Sequence, residues 1–372
     1  MMNNGIGNFC KKWLSSLDRV LLFTTLSIIS IGIWISIAST PAVAMKLGLP
    51  PFHFVIRHVI IIPFTLFIML LISLFQMKHI RKLSVYGYFI CILLITGTLF
   101  WGAEIKGAKR WLSLFGFSFQ PSELLKPIIT VITAWLISEQ YQDRKFPGIL
   151  ISIISILLVI PLLLLQPDIG ILIVIVGTWF AQLFISGLSV FMIIVFLLLG
   201  ISSMFALYFS LPHFANRIDR FITKSGDEVD FYQIKKSIEA FRNGGFGGKG
   251  PGEGVIKTLV PDSHSDFVFS IIGEEFGFVM CIIIICLFSI LIVRTILRIM
   301  RFSNMFNLSV GFGILFQITL QVLINICTSL NLIPTKGTTL PFISYGGSSM
   351  LASAISFGII FAITKKNALQ KY

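Results

Sequence analysis

The stretch PDSHSDFVFSIIGEEFG, residues 261–277, gathers Asp262, His264, Asp266, Glu274 and Glu275 around the start of an apolar segment. In a chain only 12% charged, such a concentration marks a place where protons or cations are handled. Helix arithmetic divides the group. Counted from Asp266, Ser270 falls at about 40°, Gly273 at about −20° and Gly277 at about 20°, so Asp266 tops a stripe of small residues. Such a stripe admits another helix or a lipid chain at close range. Glu274 falls at about 80°, on the flank of the stripe and about 12 Å deeper, whereas Glu275 falls at about 180°. The two Glu therefore cannot share one partner. Asp266 stands near the boundary, where water and substrate reach a carboxylate able to accept a proton. The deeper Glu pair suits helix packing.

Just upstream, GGFGGKGPGEG (244–254) has the look of a phosphate cradle. A Walker loop requires Gly at 243 and Ser or Thr after Lys249, but the chain has Asn243 and Gly250. What survives is a loop whose amides, with Lys249 and Lys257, can hold a diphosphate; a plain connecting loop fits the composition equally. A Ser/His/Asp hydrolase is excluded, because the consecutive residues His264, Ser265 and Asp266 cannot place nucleophile, base and orienter in line. The five cysteines form no CxxC or Cys/His cluster, and free thiols acting as small apolar residues account for them.

The elements that must position these groups are membrane helices. The chain has 372 residues, 56% of them hydrophobic, with a mean hydropathy of +0.93. Apolar runs of about twenty residues recur throughout, the length that crosses hydrocarbon. Spans are predicted at 20–39, 57–75, 83–101, 122–140, 148–165, 169–186, 188–210, 266–293, 304–330 and 346–364. The fold class is an all-α polytopic membrane protein of about ten transmembrane helices, a single domain over 1–372 with a long external loop, 211–265, between helices 7 and 8. Lys11, Lys12, Arg19, Lys78, Arg81, Lys82, Arg144, Lys145, Arg294, Arg298, Arg301, Lys365, Lys366 and Lys371 fall on one side. By the positive-inside rule that side, with both termini, is cytoplasmic. About half of the basic residues behind the +13 charge are thus topological anchors, and nucleic acid is not an expected partner. The N-terminus imitates a secretory signal, Ala42-Val43-Ala44 included, but its apolar stretch is too long and is read as a retained first helix.

Residues 102–121 combine Trp111, Leu112, Phe115, Phe117 and Phe119 with Lys106, Lys109 and Arg110, which suits a segment lying in the membrane interface. Its basic residues serve either as headgroup anchors or as contacts for an anionic lipid. Gln166-Pro167-Asp168 marks a tight external turn. Glu123 and Lys126, at i and i+3, can pair on one helix face, and Arg57 at the outer end of the second span can snorkel to the headgroups.

GAKRWLSLFGFSFQPSELLKP (107–127), QPDIG (166–170), RIDRF (217–221), GGKGPGEGVIKTLVPDSHSDFVFSIIGEEFG (247–277) and LIPTKGTTLPFISYGGSS (332–349) resemble the SEDS family (shape, elongation, division and sporulation), which includes FtsW, RodA and SpoVE. GPGEGVIKTLVPDSHSDF looks more like the division-associated branch. The resemblance implies a peptidoglycan glycosyltransferase that polymerises lipid II into glycan strands at the outer face of the cytoplasmic membrane, at the division septum. It implies Asp266 as catalytic residue and Arg57, Arg110, Glu123, Lys126 and Lys336 at the substrate cavity; Lys249 and Lys257 are candidate diphosphate cations, and His264, beside Asp266, is a further candidate substrate contact. It also implies a single-span class B penicillin-binding transpeptidase and other divisome proteins as partners. A divalent cation, Mg or Mn, can share the neutralisation of the diphosphate, although the sequence holds no dedicated metal cage. Cys327 and Asn331 depart from the family's usual Gly. Two other readings compete: a lipid II flippase, with Glu274 or Glu275 in a proton relay, and a non-catalytic division scaffold.

Overall fold

A backbone in hydrocarbon must satisfy its own N–H and C=O groups, so long apolar segments become helices. The computed structural model describes residues 11, 13–46, 48–105, 108–114, 117–187, 190–210, 215, 228–260, 265–333 and 338–365. Its helices are α1 (Arg19–Lys46), α2 (His53–Leu74), α3 (Met77–Trp101), α4 (Pro121–Gln142), α5 (Gly148–Leu165), α6 (Ile169–Ile185), α7 (Val190–Ser210), α8 (Glu228–Gly244), α9 (Val268–Ile299), α10 (Met305–Ser329) and α11 (Gly347–Thr364). All but α8 occupy the predicted spans. Among the described residues, seven are long and apolar enough to cross a membrane, and α6 is a shorter apolar helix. The main boundary differences are extensions: α1 runs on to Lys46, α3 begins at Met77 and α9 continues to Ile299. The added turns of α3 and α9 carry Lys78, Arg81, Lys82, Arg294 and Arg298, whose long stems let a helix continue past its first charge, while the addition to α1 carries no charge before Lys46.

Three findings differ from the expectations. Within 102–121, where no strand was expected, β1 (Ala103–Ile105), β2 (Ala108–Leu114) and β3 (Phe117–Phe119) form a three-stranded antiparallel sheet. Glu104 stands opposite Lys109, and Leu112 opposite Phe119, pairs of the kind that stabilise adjacent strands. The expected loop 211–265 contains helix α8. Finally, α9 starts at Val268, and Asp266 lies in the turn before it.

Two hydrophobic cores organise the bundle. One joins α1, α2, α9, α10 and α11, and the other joins α3, α4, α5 and α6. A buried chain of neutral polar groups links α4, α6, α10 and α11. Thr133 Oγ1 donates to Gln182 Oε1 at 2.6 Å, Gln182 Nε2 to the Thr130 carbonyl at 2.8 Å, and Thr130 Oγ1 to Gln317 Oε1 at 3.2 Å. Amides and hydroxyls of this kind hold helices together where the lipid gives no hydrophobic drive. At the end of the bundle carrying most of the basic residues, Asp18 accepts from Arg294 at 2.9 Å and Arg298 at 2.5 Å, tying the start of α1 to the end of α9.

Candidate functional site

At the opposite end, β2 delivers Arg110 to the turn between α5 and α6. Arg110 Nε donates to the Gln166 carbonyl at 2.7 Å and Nη2 to the Pro167 carbonyl at 2.6 Å. The next residue, Asp168, caps α6 and accepts from Gln120 Nε2 at 2.8 Å and Ser122 Oγ at 3.4 Å. Burial pushes the Asp168 carboxyl above its ordinary value, Arg110 pulls it partly back, and the Glu123 charge pushes it further. One turn into α4, Glu123 and Lys126 form a buried ion pair at 2.8 Å. The structure thus brings Arg110, Glu123 and Lys126 to one end of the bundle, with Asp168, Gln120 and Gln166 beside them. From the sequence, QPD reads as a turn and as part of one resemblance block, with no site role for Asp168. Its signal was the pairing of one turn acid with the QPSELLK segment, which only the tertiary fold brings together.

Asp266 is partly exposed and sits beside the segment 338–349. The Asp266 carbonyl accepts from Asn325 Nδ2 at 3.1 Å, and the Ser265 carbonyl accepts from Ser344 Oγ at 2.6 Å. The neighbouring Tyr345 hydroxyl is hydrogen-bonded to Arg57; burial pushes its pKa above the ordinary value, and the Arg57 charge pulls it partly back. Three residues on, Ser348 Oγ accepts from the Gln120 amide at 2.8 Å. The single segment 338–349 therefore touches the Asp266 turn, Arg57 and the Arg110–Lys126 group in succession.

The deeper acids have other work. Glu274 Oε1 accepts from Asn243 Nδ2 at 2.9 Å, the Val255 amide at 2.9 Å and the Ile256 amide at 2.8 Å, while Oε2 accepts from the Lys257 amide at 3.0 Å. Glu275, on the other face, pairs with Lys257 Nζ, which also donates to the Gly252 carbonyl at 2.8 Å and the Ala38 carbonyl at 3.3 Å. Lys257, whose three Nζ protons go to Glu275 and to the Gly252 and Ala38 carbonyls, is therefore a structural cation and not the diphosphate contact expected of it. The Gly-rich run is likewise occupied. The Lys249 and Gly250 amides donate to the Glu274 and Glu275 carbonyls, and the Gly245 and Phe246 carbonyls accept from the Phe278 and Val279 amides. These bonds splice a break in α9 at Gly277, whose φ of 73° and ψ of −175° belong to a region open only to glycine. The expected cradle is thus a splice, with the Lys249 side chain exposed at its edge. The small-residue stripe is filled by protein: a Cβ on Gly273 would lie 2.3 Å from Phe241 of α8. His264 and Lys336 lie outside the described residues. Among the described residues no group of three His, Cys, Asp or Glu is arranged to hold a metal.

The fold and this end of the bundle define a polytopic membrane protein with the partly exposed Asp266 and the buried Glu123–Lys126 pair at one end. More particularly, the family model described as "Cell cycle protein", FTSW_RODA_SPOVE, matches residues 18–369, and the chain belongs to that family. It is 36% identical to a probable peptidoglycan glycosyltransferase FtsW of Caulobacter vibrioides, covering 95% of this chain and 90% of that protein. A probable FtsW of Coxiella burnetii is 32% identical over 94% of this chain and 96% of that protein. Among solved structures, a chain from a peptidoglycan synthase complex that coordinates polymerization and crosslinking superposes with a TM-score of 0.76 at 24% identity, covering 94% of this chain and 98% of that one. The rod shape determining protein RodA of Thermus thermophilus gives 0.67 at 23% identity, over 94% and 97%. These two likenesses concern the fold.

Proposed function

We propose that the chain is a peptidoglycan glycosyltransferase that polymerises lipid II at the outer face of the cytoplasmic membrane, at the division septum. The basic end, with both termini, faces the cytoplasm by the positive-inside rule, which leaves the Asp266 end outside. Asp266 acts as general base on the 4-hydroxyl of the acceptor GlcNAc, which attacks C1 of the donor MurNAc with inversion. Undecaprenyl diphosphate departs, and its charge is met by Arg57, Arg110, Lys126 and Lys249, with His264 and Lys336 as further candidate contacts. Glu123 holds Lys126 in place until an anion offers it a second partner.

The observation that carries this reading is the contrast among the acids. Asp266 is partly exposed, whereas the Glu274 and Glu275 carboxylates are engaged internally. The same contrast weighs against a flippase with a proton relay, because the buried centre consists of amides and hydroxyls. A class B penicillin-binding transpeptidase is the partner that crosslinks the emerging strand, with other divisome proteins around it. The test is glycan synthesis from labelled lipid II by purified protein with its transpeptidase. Asp266→Asn should make no polymer while melting like the wild type; polymer at the wild-type rate would sink the assignment.

A further inference from the structure

We propose that Asn325 and Ser344 are positioning residues for Asp266, a step that rests on the reading of Asp266 as the base. The helical bonds of α9 begin only at the Phe267 carbonyl, which accepts from the Ser270 and Ile271 amides. The two preceding carbonyls, of Ser265 and Asp266, fall outside that ladder. Each is taken by a buried side chain from a different element: Ser344, 1% exposed, from the segment before α11, and Asn325, 0% exposed, from α10.

Neither clamp acts alone. Asn325 Nδ2 also donates to the Thr338 carbonyl at 2.7 Å, and Ser344 Oγ also accepts from the Leu340 amide at 2.9 Å. The Asp266 turn, the segment 338–344 and the end of α10 are therefore one hydrogen-bonded unit. Fixing two successive peptide groups fixes the Asp266 Cα, and with it the arc its carboxylate sweeps. A base must meet the attacking hydroxyl within a fraction of an ångström, so a loosened turn lowers the chemical step more than binding. Neither residue touches the reacting atoms in this scheme, and the diphosphate contacts lie elsewhere.

Three variants test the assignment in full-length protein with its transpeptidase and labelled lipid II. Asn325→Leu keeps the volume and removes both donated bonds; Ser344→Ala removes one hydroxyl; Ser237→Ala, whose Oγ donates to the Ser329 carbonyl at 2.6 Å on the same end of α10, is the control. The first two should lower kcat about tenfold or more at unchanged KM, with melting temperatures close to wild type, while the control leaves both constants alone. Wild-type kcat in both clamp variants overturns the proposal. So does a loss of rate matched by a loss of folded protein, or failure of both to fold, since either makes the residues merely structural. Wild-type activity in Asp266→Asn would instead remove the catalytic reading itself, a result separable from the behaviour of the clamps.

Discussion

Within one stretch of seventeen residues, the chain uses carboxylates in two opposite ways. Glu274 is completely engaged, its two oxygens receiving Asn243 and the amides of Val255, Ile256 and Lys257. It organises the loop that returns from the Gly-rich splice, while Glu275 holds the same loop from the other side through Lys257. Asp266 instead has its backbone fixed and its side chain partly exposed. A carboxylate fully buried among fixed donors builds structure; one whose backbone is held while its side chain is partly exposed stands where water and substrate can reach it. Proximity in sequence thus says little about shared chemistry.

Substitution should separate the two kinds sharply. Asp266→Asn is expected to remove activity by about a thousandfold or more at constant melting temperature, the pattern of a lost base. Glu274→Ala should do the reverse. It strands three backbone amides and Asn243 in a buried site, a loss of about 3 kcal/mol or more, so melting temperature and activity fall together. If Glu274→Ala kept a wild-type melting temperature while losing turnover, Glu274 would belong with Asp266 and the division between them would fail.

Gly277→Ala probes the splice that both Glu residues support. A Cβ there would lie 2.4 Å from the Gly248 nitrogen and the Phe246 oxygen, in a backbone conformation that only glycine adopts readily. Strain of about 1–3 kcal/mol is expected from the dihedrals, before the overlap is counted. Melting should shift down by less than in Glu274→Ala, and protease sensitivity should rise in 244–258. An unshifted variant would show that the break in α9 is not held as described.

The sequence made much of this legible, and the places where it fell short have physical causes. The spans followed from apolar length alone, and the Glu123–Lys126 pair from helix spacing. The expectation that Glu274 and Glu275 share no partner fails, because the two ends of Lys257 reach both: its amide donates to Glu274 and its Nζ pairs with Glu275. The start of α9 was misplaced by two residues because it is set by tertiary partners: Asn325 and Ser344 capture the carbonyls of 265 and 266. Lys257 was read as a free cation because its partner, Glu275, lies eighteen residues away on a segment folded back against it. Asn331, noted as a departure from glycine, has φ of 57°, a left-handed conformation that asparagine tolerates better than most residues.

The smallest effect is expected at the far end of α9, where a third buried acid repeats the Glu274 pattern with arginines as donors. Burial pushes the Asp18 carboxyl up, but hydrogen bonds from Arg294 and Arg298 outweigh it and hold the group below its ordinary value. A carboxyl depressed by folding contributes stability above its unfolded value of about 4 and loses it as the pH falls through the folded value. The melting temperature of wild type minus that of Asp18→Asn should therefore be positive and flat at neutral pH, and should shrink towards zero only below about pH 4. Arg294 is 35% exposed at its side chain and recovers hydration when Asp18 is neutralised, so the difference at neutral pH should stay near about 1–2 kcal/mol, below the roughly 3–5 kcal/mol of a fully buried pair that loses one partner. Because this triad lies at the opposite end of the bundle from Asp266, kcat should hold. A large loss of turnover in Asp18→Asn would mean that the two ends of α9 are coupled, and that the distinction between structural and reactive acids has to be drawn along the whole helix instead of within residues 261–277.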